Sequence, residues 1–232
     1  MELELAAFDL QVAMEDIVTL LSAKAHEKSV EVTLRYDPQL PKVFLGDVGR
    51  LRQVITNIAG NAVKFTLEGY VYIDVTGTEG PSGYSLRIDV KDTGIGISPS
   101  QIDQIFNEFE QVSSARNRQF EGTGLGLAIS TRLVAMMGGR ITATSEQDCG
   151  STFSVEVQLL ATAETIQSAC DSGLNLTDSH VLVVDDLEVN RTILSERLGS
   201  WGITVVLASS GNQALALLEE PKNRFDLVIQ DY

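Results

Sequence analysis

The stretch RLRQVITNIAGNAVKFT, Arg50 to Thr66, decides the reading of the whole chain. At 3.6 residues per turn, Leu51, Val54, Ile55, Ile58, Ala62 and Phe65 share one side of a helix. Asn57, Asn61 and Lys64 fall within about 60° of one another on another side, with Arg50 and Gln53 on the same arc. The pattern predicts a helix over 47–66, N-capped by Asp47. One stripe therefore presents two amides and two cations, beside an apolar face that needs a sheet to pack on. A merely solvated stripe would carry Glu and Lys; aligned Asn, a poor helix former, favours a binding role.

Outward from this helix, the periodicities alternate in kind. Residues 9–28 predict a helix through Val12, Ile17, Leu20 and Leu21, and VEVTLRY (30–36) predicts a strand. GYVYIDVTGT (69–78) and YSLRIDVKD (84–92) predict a hairpin across a Gly/Pro/Ser turn. Helices are predicted near 99–110 and 124–138. RITATSE (140–146) and GSTFSVEVQL (150–159) predict a second hairpin, turning through Asp148 and Gly150. This is an α+β pattern, a two-layer α/β sandwich with helices on one face of the sheet. Residues 161–179 are small and polar and predict a linker. After it the pattern becomes HVLVVDD (180–186), a helix (190–200), ITVVLAS (203–209), a helix (211–219) and FDLVIQD (225–231). Apolar strands separated by helices predict a doubly wound parallel sheet. The expected organisation is a first domain over 1–160, a linker over 161–179 and part of a second domain over 180–232.

Composition narrows the partners. The chain has 232 residues, 44% apolar and 21% charged, with a net charge of −15. That charge argues against nucleic acid, whose binders carry basic patches. It also requires that any polyphosphate be held by local cations, a metal or backbone N–H groups. Two cysteines, Cys149 and Cys170, make no disulfide framework, and two histidines, His26 and His180, make a His-based metal site improbable. No apolar run approaches the ~18 residues of a membrane span, and MELELAAFDL lacks the features of a secretory signal. A cytoplasmic location is expected, whether or not a parent protein is anchored in a membrane.

Two glycine clusters carry the rest. KDTGIGISPSQIDQIFNEFEQ (Lys91–Gln111) sets Gly94 and Gly96 behind Asp92 at a strand end; EGTGLGLAIS (Glu121–Ser130) leads into a helix. Glycines let a backbone approach phosphate, and a helix N-terminus offers N–H donors. Neither cluster has Walker spacing or completes GxGxxG. Either one alone reads more readily as a turn.

The order is more specific. Asn-x-x-x-Asn-Ala-x-Lys-Phe from Asn57 is followed by Asp-x-Gly-x-Gly-Ile from Asp92. Phe-x-x-Phe from Phe106 and Gly-Thr-Gly-Leu-Gly-Leu from Gly122 come next. Over residues 8–160 this resembles the catalytic ATP-binding (Bergerat-type) domain of sensor histidine kinases, within the gyrase, chaperone and mismatch-repair ATPase superfamily. The resemblance implies ATP and Mg²⁺ as cofactors. It implies that Asn61 coordinates Mg²⁺, with Asn57 and Lys64 near the phosphates. Asp92 would accept the adenine amine, with Gly94 and Gly96 making the close turn. Phe106 and Phe109 would lie under a lid at 111–121 that carries Arg116, which could reach the γ-phosphate. Gly122, Thr123, Gly124, Leu125 and Gly126 would cradle the phosphates, and Thr152 would lie near the adenine. Glu121 stands where many members have glycine. Asn61, Lys64 and Arg116 would be the catalytic residues of phosphoryl transfer, which needs mainly positioning and charge neutralisation. The acceptor histidine would lie on a dimerising hairpin that this sequence does not contain; His26 lacks its context. The chain therefore reads as a fragment, not expected to autophosphorylate alone.

HVLVVDD and FDLVIQDY resemble strands 1 and 3 of a response-regulator receiver domain, with Asn190 and Arg191 fitting its DDxxxNR opening. The resemblance makes Asp231 the phosphoacceptor and Asp185 and Asp186 the Mg²⁺ ligands. Three adjoining carboxylates repel unless a cation joins them. The site is expected to be incomplete in this chain. The leading reading is thus a hybrid sensor histidine kinase. Its partners would be its own dimerisation hairpin and a receiver or phosphotransfer protein. The alternative is a nucleotide-binding or docking module without catalysis.

Overall fold

A computed structural model describes residues 3–102, 104–107, 124–162, 176–177, 179–220 and 222–231. The chain divides into two compact units, Met1–Gln167 and Ser168–Tyr232.

The first unit runs β1 (Ala6–Asp9), α1 (Leu10–His26), β2 (Val30–Tyr36), β3 (Val43–Gly46), α2 (Val48–Phe65), β4 (Gly69–Gly80) and β5 (Gly83–Asp92). A single 3₁₀ turn (Gln104–Phe106), α3 (Gly126–Met136), β6 (Arg140–Glu146) and β7 (Gly150–Ala161) complete it. The sheet order is β1-β3-β7-β5-β4-β2, with β6 also paired to β7. Among the described residues of this unit only β2 and β4 pair in parallel; the other ladders are antiparallel. On one sheet face Val71, Ile73, Val75, Leu86, Ile88, Val90 and Val155 are fully buried. The intervening residues carry charge, as in the surface chain Arg140–Glu156–Arg87–Asp89. That alternation is the mark of a sheet with one covered face and one open face. The helices supply the cover. α2 buries Leu51, Val54, Ile55, Ile58, Ala59, Ala62 and Val63, each large apolar side chain contributing about 1.5–3 kcal/mol over exposure.

Caps fix where the helices begin. Asp47 Oδ1 accepts from Arg50 N at 2.9 Å, and Asp9 Oδ1 from Val12 N at 3.0 Å. Of the helix expected near 99–110, residues 103 and 108–110 lie outside the described residues. In the rest, Gln101 N donates to Ser98 O, Gln104 N to Gln101 O and Asn107 N to Gln104 O, with one longer bond from Ile105 N to Gln101 O. Ile105 is buried and Phe106 half-buried against the core. β1 and β3, each four residues long, are not signalled by any long alternation.

In the second unit β8 (His180–Val184) lies between β9 (Thr204–Ala208) and β10 (Leu227–Gln230), all parallel. α4 (Glu188–Ser200) connects β8 to β9, and α5 (Gly211–Glu219) connects β9 to β10. Val181 and Val183 pack with Leu198 of α4, whereas Leu182 and Val184 pack with Ala214 of α5. Alternate strand residues therefore feed two faces, one helix on each. This is the doubly wound arrangement, with strand order 2-1-3.

Candidate functional site

β5 is flanked by β4 and β7, and its last residue, Asp92, lies opposite Val71 on one side and Ser151 on the other. The residue faces the helices and is 5% exposed. Burial pushes its carboxyl above the ordinary range, while hydrogen bonds from Gly94 N–H and from Ser151 pull the other way. A carboxylate buried at a strand end gains from every hydrogen-bond donor brought to it.

The loop after Asp92 is held on three sides. Gly94 N donates to Asp92 Oδ1 at 2.9 Å. Ile95 N donates to Phe65 O, at the end of α2, at 3.3 Å. Asp148 N donates to Ile95 O at 2.9 Å, and Ile97 N to Ser145 Oγ at 2.7 Å, tying the loop to the β6–β7 turn. These ties explain the two glycines. A Cβ at Gly94 would sit 2.6 Å from Phe65 O, and Gly96 has φ +63° with the Glu146 carbonyl where its Cβ would be.

Asn57, Asn61 and Lys64 are all half-buried on α2. Asn57 Nδ2 donates to Ser130 Oγ of α3 at 3.0 Å, and its Oδ1 occupies the space beside Gly126. Lys64 Nζ lies 5.0 Å from the Phe65 ring centroid. Gly124 (φ +70°), Leu125 and Gly126 form the start of α3, where no side chain caps the helix. Such a start leaves its first-turn N–H groups without a side-chain acceptor, the arrangement that suits an anion. Phe106 is half-buried and packs against the main core. Phe109, Arg116, Gly122 and Thr123, with the 111–121 stretch, lie outside the described residues. A cleft of about 540 Å³ between α1, α2 and α3 includes Asn57, Gly126 and Ser130, but not Asp92, Asn61 or Lys64.

One residue is placed differently from expectation. Thr152 pairs with Lys91, not Asp92, and successive strand residues point to opposite faces. Its side chain is thus on the open face of the sheet, away from the Asp92 carboxylate. Ser151 stands there instead, with its Oγ 3.0 Å from Ser145 Oγ. The three-residue turn between Glu146 and Gly150 sets this register, and counting outward from it would have selected Ser151.

In the second unit Asp185 and Asp231 follow the paired residues Val184 and Gln230, at the same carboxyl edge of β8 and β10. Asp185 is buried and its Oδ1 accepts from Leu187 N at 2.8 Å; Asp186 is exposed. Arg191 Nη1 donates to the carbonyls of Asp185 and Asp186 at 2.7 and 2.9 Å. Among the described residues no three His, Cys, Asp or Glu side chains converge as a metal cage. The Asp185 carboxylate is turned into its own loop. Cys149 is exposed and unbridged; Cys170 lies outside the described residues. No helix among those described is long and apolar enough to cross a membrane.

Residues 46–161 match the family described as histidine kinase-, DNA gyrase B-, and HSP90-like ATPase. The chain is 39% identical over 229 residues to sensor histidine kinase AruS of Pseudomonas aeruginosa, covering 98% of this chain and 22% of AruS. It is 36% identical over 220 residues to the aerobic respiration control sensor protein ArcB of Escherichia coli K12, covering 94% of this chain and 28% of ArcB. It therefore spans between a fifth and a third of those proteins. Among solved structures it resembles full-length ShkA in complex with AMPPNP, with TM-score 0.76 and 33% identity, over 93% of this chain and 43% of that one. The mycobacterial sensor histidine kinase MprB shares the fold, with TM-score 0.54 and 21% identity, over 68% of this chain and 99% of that one.

Proposed function

The chain belongs to the histidine kinase-, DNA gyrase B- and HSP90-like ATPase family, and from that premise we propose that its first unit binds Mg·ATP as the catalytic portion of a hybrid sensor histidine kinase. The observation that carries this reading is Asp92: a carboxylate buried at the end of a central strand, followed by a loop with no room for a Cβ at Gly94 or Gly96. Asp92 takes the exocyclic amine of adenine, and Ser151 steadies the carboxylate from the neighbouring strand. Gly94 and Gly96 keep the loop backbone close to the base. Asn61 would hold Mg²⁺, with Asn57, Lys64 and Arg116 serving the phosphates, and the glycine cluster Gly122, Thr123, Gly124, Leu125 and Gly126 would supply N–H donors. When bound, Mg·ATP supplies a γ-phosphoryl group for transfer to a histidine on a separate dimerisation hairpin. The chain's own residues position and neutralise it.

The second unit supports the hybrid reading through its 2-1-3 strand order and the shared edge of Asp185 and Asp231. In this reading Asp231 would accept the phosphoryl group, and Asp185 and Asp186 would hold the Mg²⁺ that neutralises the adjoining carboxylates.

Calorimetric titration with a non-hydrolysable ATP analogue, with and without Mg²⁺, tests the nucleotide site. The unaltered chain is expected to bind more tightly with Mg²⁺, and Asn61→Ala to lose that gain. No binding by the unaltered chain would overturn the reading.

A further inference from the structure

The C-terminal end of α2 is where the nucleotide loop is anchored, and its carbonyls can be counted one by one. Ala62 O accepts from Thr66 N at 3.0 Å and Thr66 Oγ1 at 2.8 Å. Val63 O, Lys64 O and Thr66 O all accept from one ammonium, Lys28 Nζ, at 3.0, 2.7 and 3.4 Å. Only Phe65 O is left over, and it accepts from Ile95 N in the loop after Asp92. Lys28 thus takes the carbonyls on either side of Phe65 and leaves the one between them to the loop.

Lys28 is not part of α2. It sits in the turn between α1 and β2, held by Lys28 N to Ala25 O at 3.0 Å. That turn ends in Ser29 at φ +56°, a left-handed conformation that serine seldom adopts. The turn brings Lys28 to the end of α2, 35 residues on in sequence. A cation there completes the unpaired carbonyls of a helix terminus and suits the negative end of its dipole. Burial, and after it the like charges of Lys24 and Lys64, lower the Lys28 pKa, and the three carbonyls oppose that by accepting from the ammonium.

We propose that Lys28 is a positioning residue for the nucleotide loop, acting through the end of α2 to fix Phe65 O, and through it Ile95 and the Gly94–Gly96 turn. Lys28 touches no ligand. It sets the height of the loop over the base that Asp92 holds. The inference rests on the reading of Asp92 as the adenine acceptor.

The test compares the 232-residue chain with Lys28→Met, which keeps the length and removes the donors, and Lys28→Arg, which restores them. Arg35→Met, which breaks the 3.0 Å Arg35–Asp74 pair on β2 and β4, controls for general loss of stability. Lys28→Met is expected to bind the Mg²⁺–analogue complex about tenfold more weakly. It is also expected to exchange the Ile95 amide hydrogen faster, with Lys28→Arg restoring both and Arg35→Met altering neither. Unchanged binding and unchanged Ile95 exchange in a folded Lys28→Met chain overturn the proposal, whatever its melting temperature. Should Lys28→Met not fold, Lys28→Gln, which keeps two donors, is read against the same outcomes. If the unaltered chain binds no analogue, the adenine reading fails, and the Ile95 exchange still decides whether Lys28 anchors the loop.

Discussion

Two ways of covering a sheet stand side by side in this chain. Among the described residues, the first unit closes thirty buried apolar side chains into one cluster between its sheet and three helices. The second distributes eight between two clusters, four on each face of three strands. A single deep cluster can carry a liability such as the buried Asp92 carboxylate. The thin double layer also buries one carboxylate, Asp185, but just past the end of β8, where Leu187 N donates to it, and it leaves Asp186 exposed. In the second unit β10 also leaves Leu227 55% and Val228 43% exposed, whereas in the first the strands that matter to the site, β4, β5 and β7, are paired on both sides.

Truncation within the deep cluster is the severest challenge to this contrast. Ile58→Ala is expected to cost about 2–5 kcal/mol, read as a shift in denaturant midpoint of the first unit. Mild proteolysis of the unaltered chain should cut within 180–231 before it cuts within 30–102. Survival of the second unit over the first would reverse the ranking of the two.

Next in size is Asp92→Asn. Analogue binding is expected to fall by about a hundredfold, as an acceptor becomes an amide. Folding stability should move the opposite way. Because burial raises the Asp92 pKa, folding disfavours its ionised form. The group therefore lowers stability at neutral pH, and that loss fades as pH falls through the raised value toward the ordinary one. Asn carries no such cost, so the variant should melt no lower than the unaltered chain at pH 7. Nucleotide affinity of the unaltered chain should decline on acidification sooner than an exposed aspartate would cause. A melting temperature several degrees lower for Asp92→Asn would contradict the assigned cause of the shift.

The smallest effect is expected at Val228→Lys. The side chain is exposed on β10, so stability should change by no more than about 0.5 kcal/mol, while a charge on the strand edge reduces self-association. Sedimentation at rising concentration reads this; a large loss of stability would show that something covers β10.

How much of this the sequence disclosed follows from the range of the forces involved. α2 was legible because its pattern repeats over five turns and Asp47 caps it locally. The end of β5 at Asp92 and the tight turn through Gly94 and Gly96 were legible because a long alternating strand ends abruptly in small residues. Thr152 was misplaced by one residue, and in a strand one residue reverses the face; only the turn at 147–149 contains the register. β1 and β3 escaped notice because four residues make no period and their partners are remote. Lys28 escaped because its function depends on a long side chain meeting a helix end that is nowhere near it in sequence. The open carboxylate edge of β8 and β10 was legible, but not the hydrogen bond that turns Asp185 back toward Leu187.

β7 has one further consequence. It pairs with β5 along one edge, while β6 and β3 share the other, and Phe44 meets Ala161. A ribosome that has released β3, already able to pair with β1, must therefore synthesise more than a hundred further residues before that strand finds its second neighbour. Until then β4 and β5 can form a hairpin, and α1 and α2 can lie on it, but the end of β5 lacks Ser151. Asp92 becomes a fixed acceptor only when β7 has emerged, so nucleotide arriving on the nascent chain should find no seat until nearly the whole first unit exists.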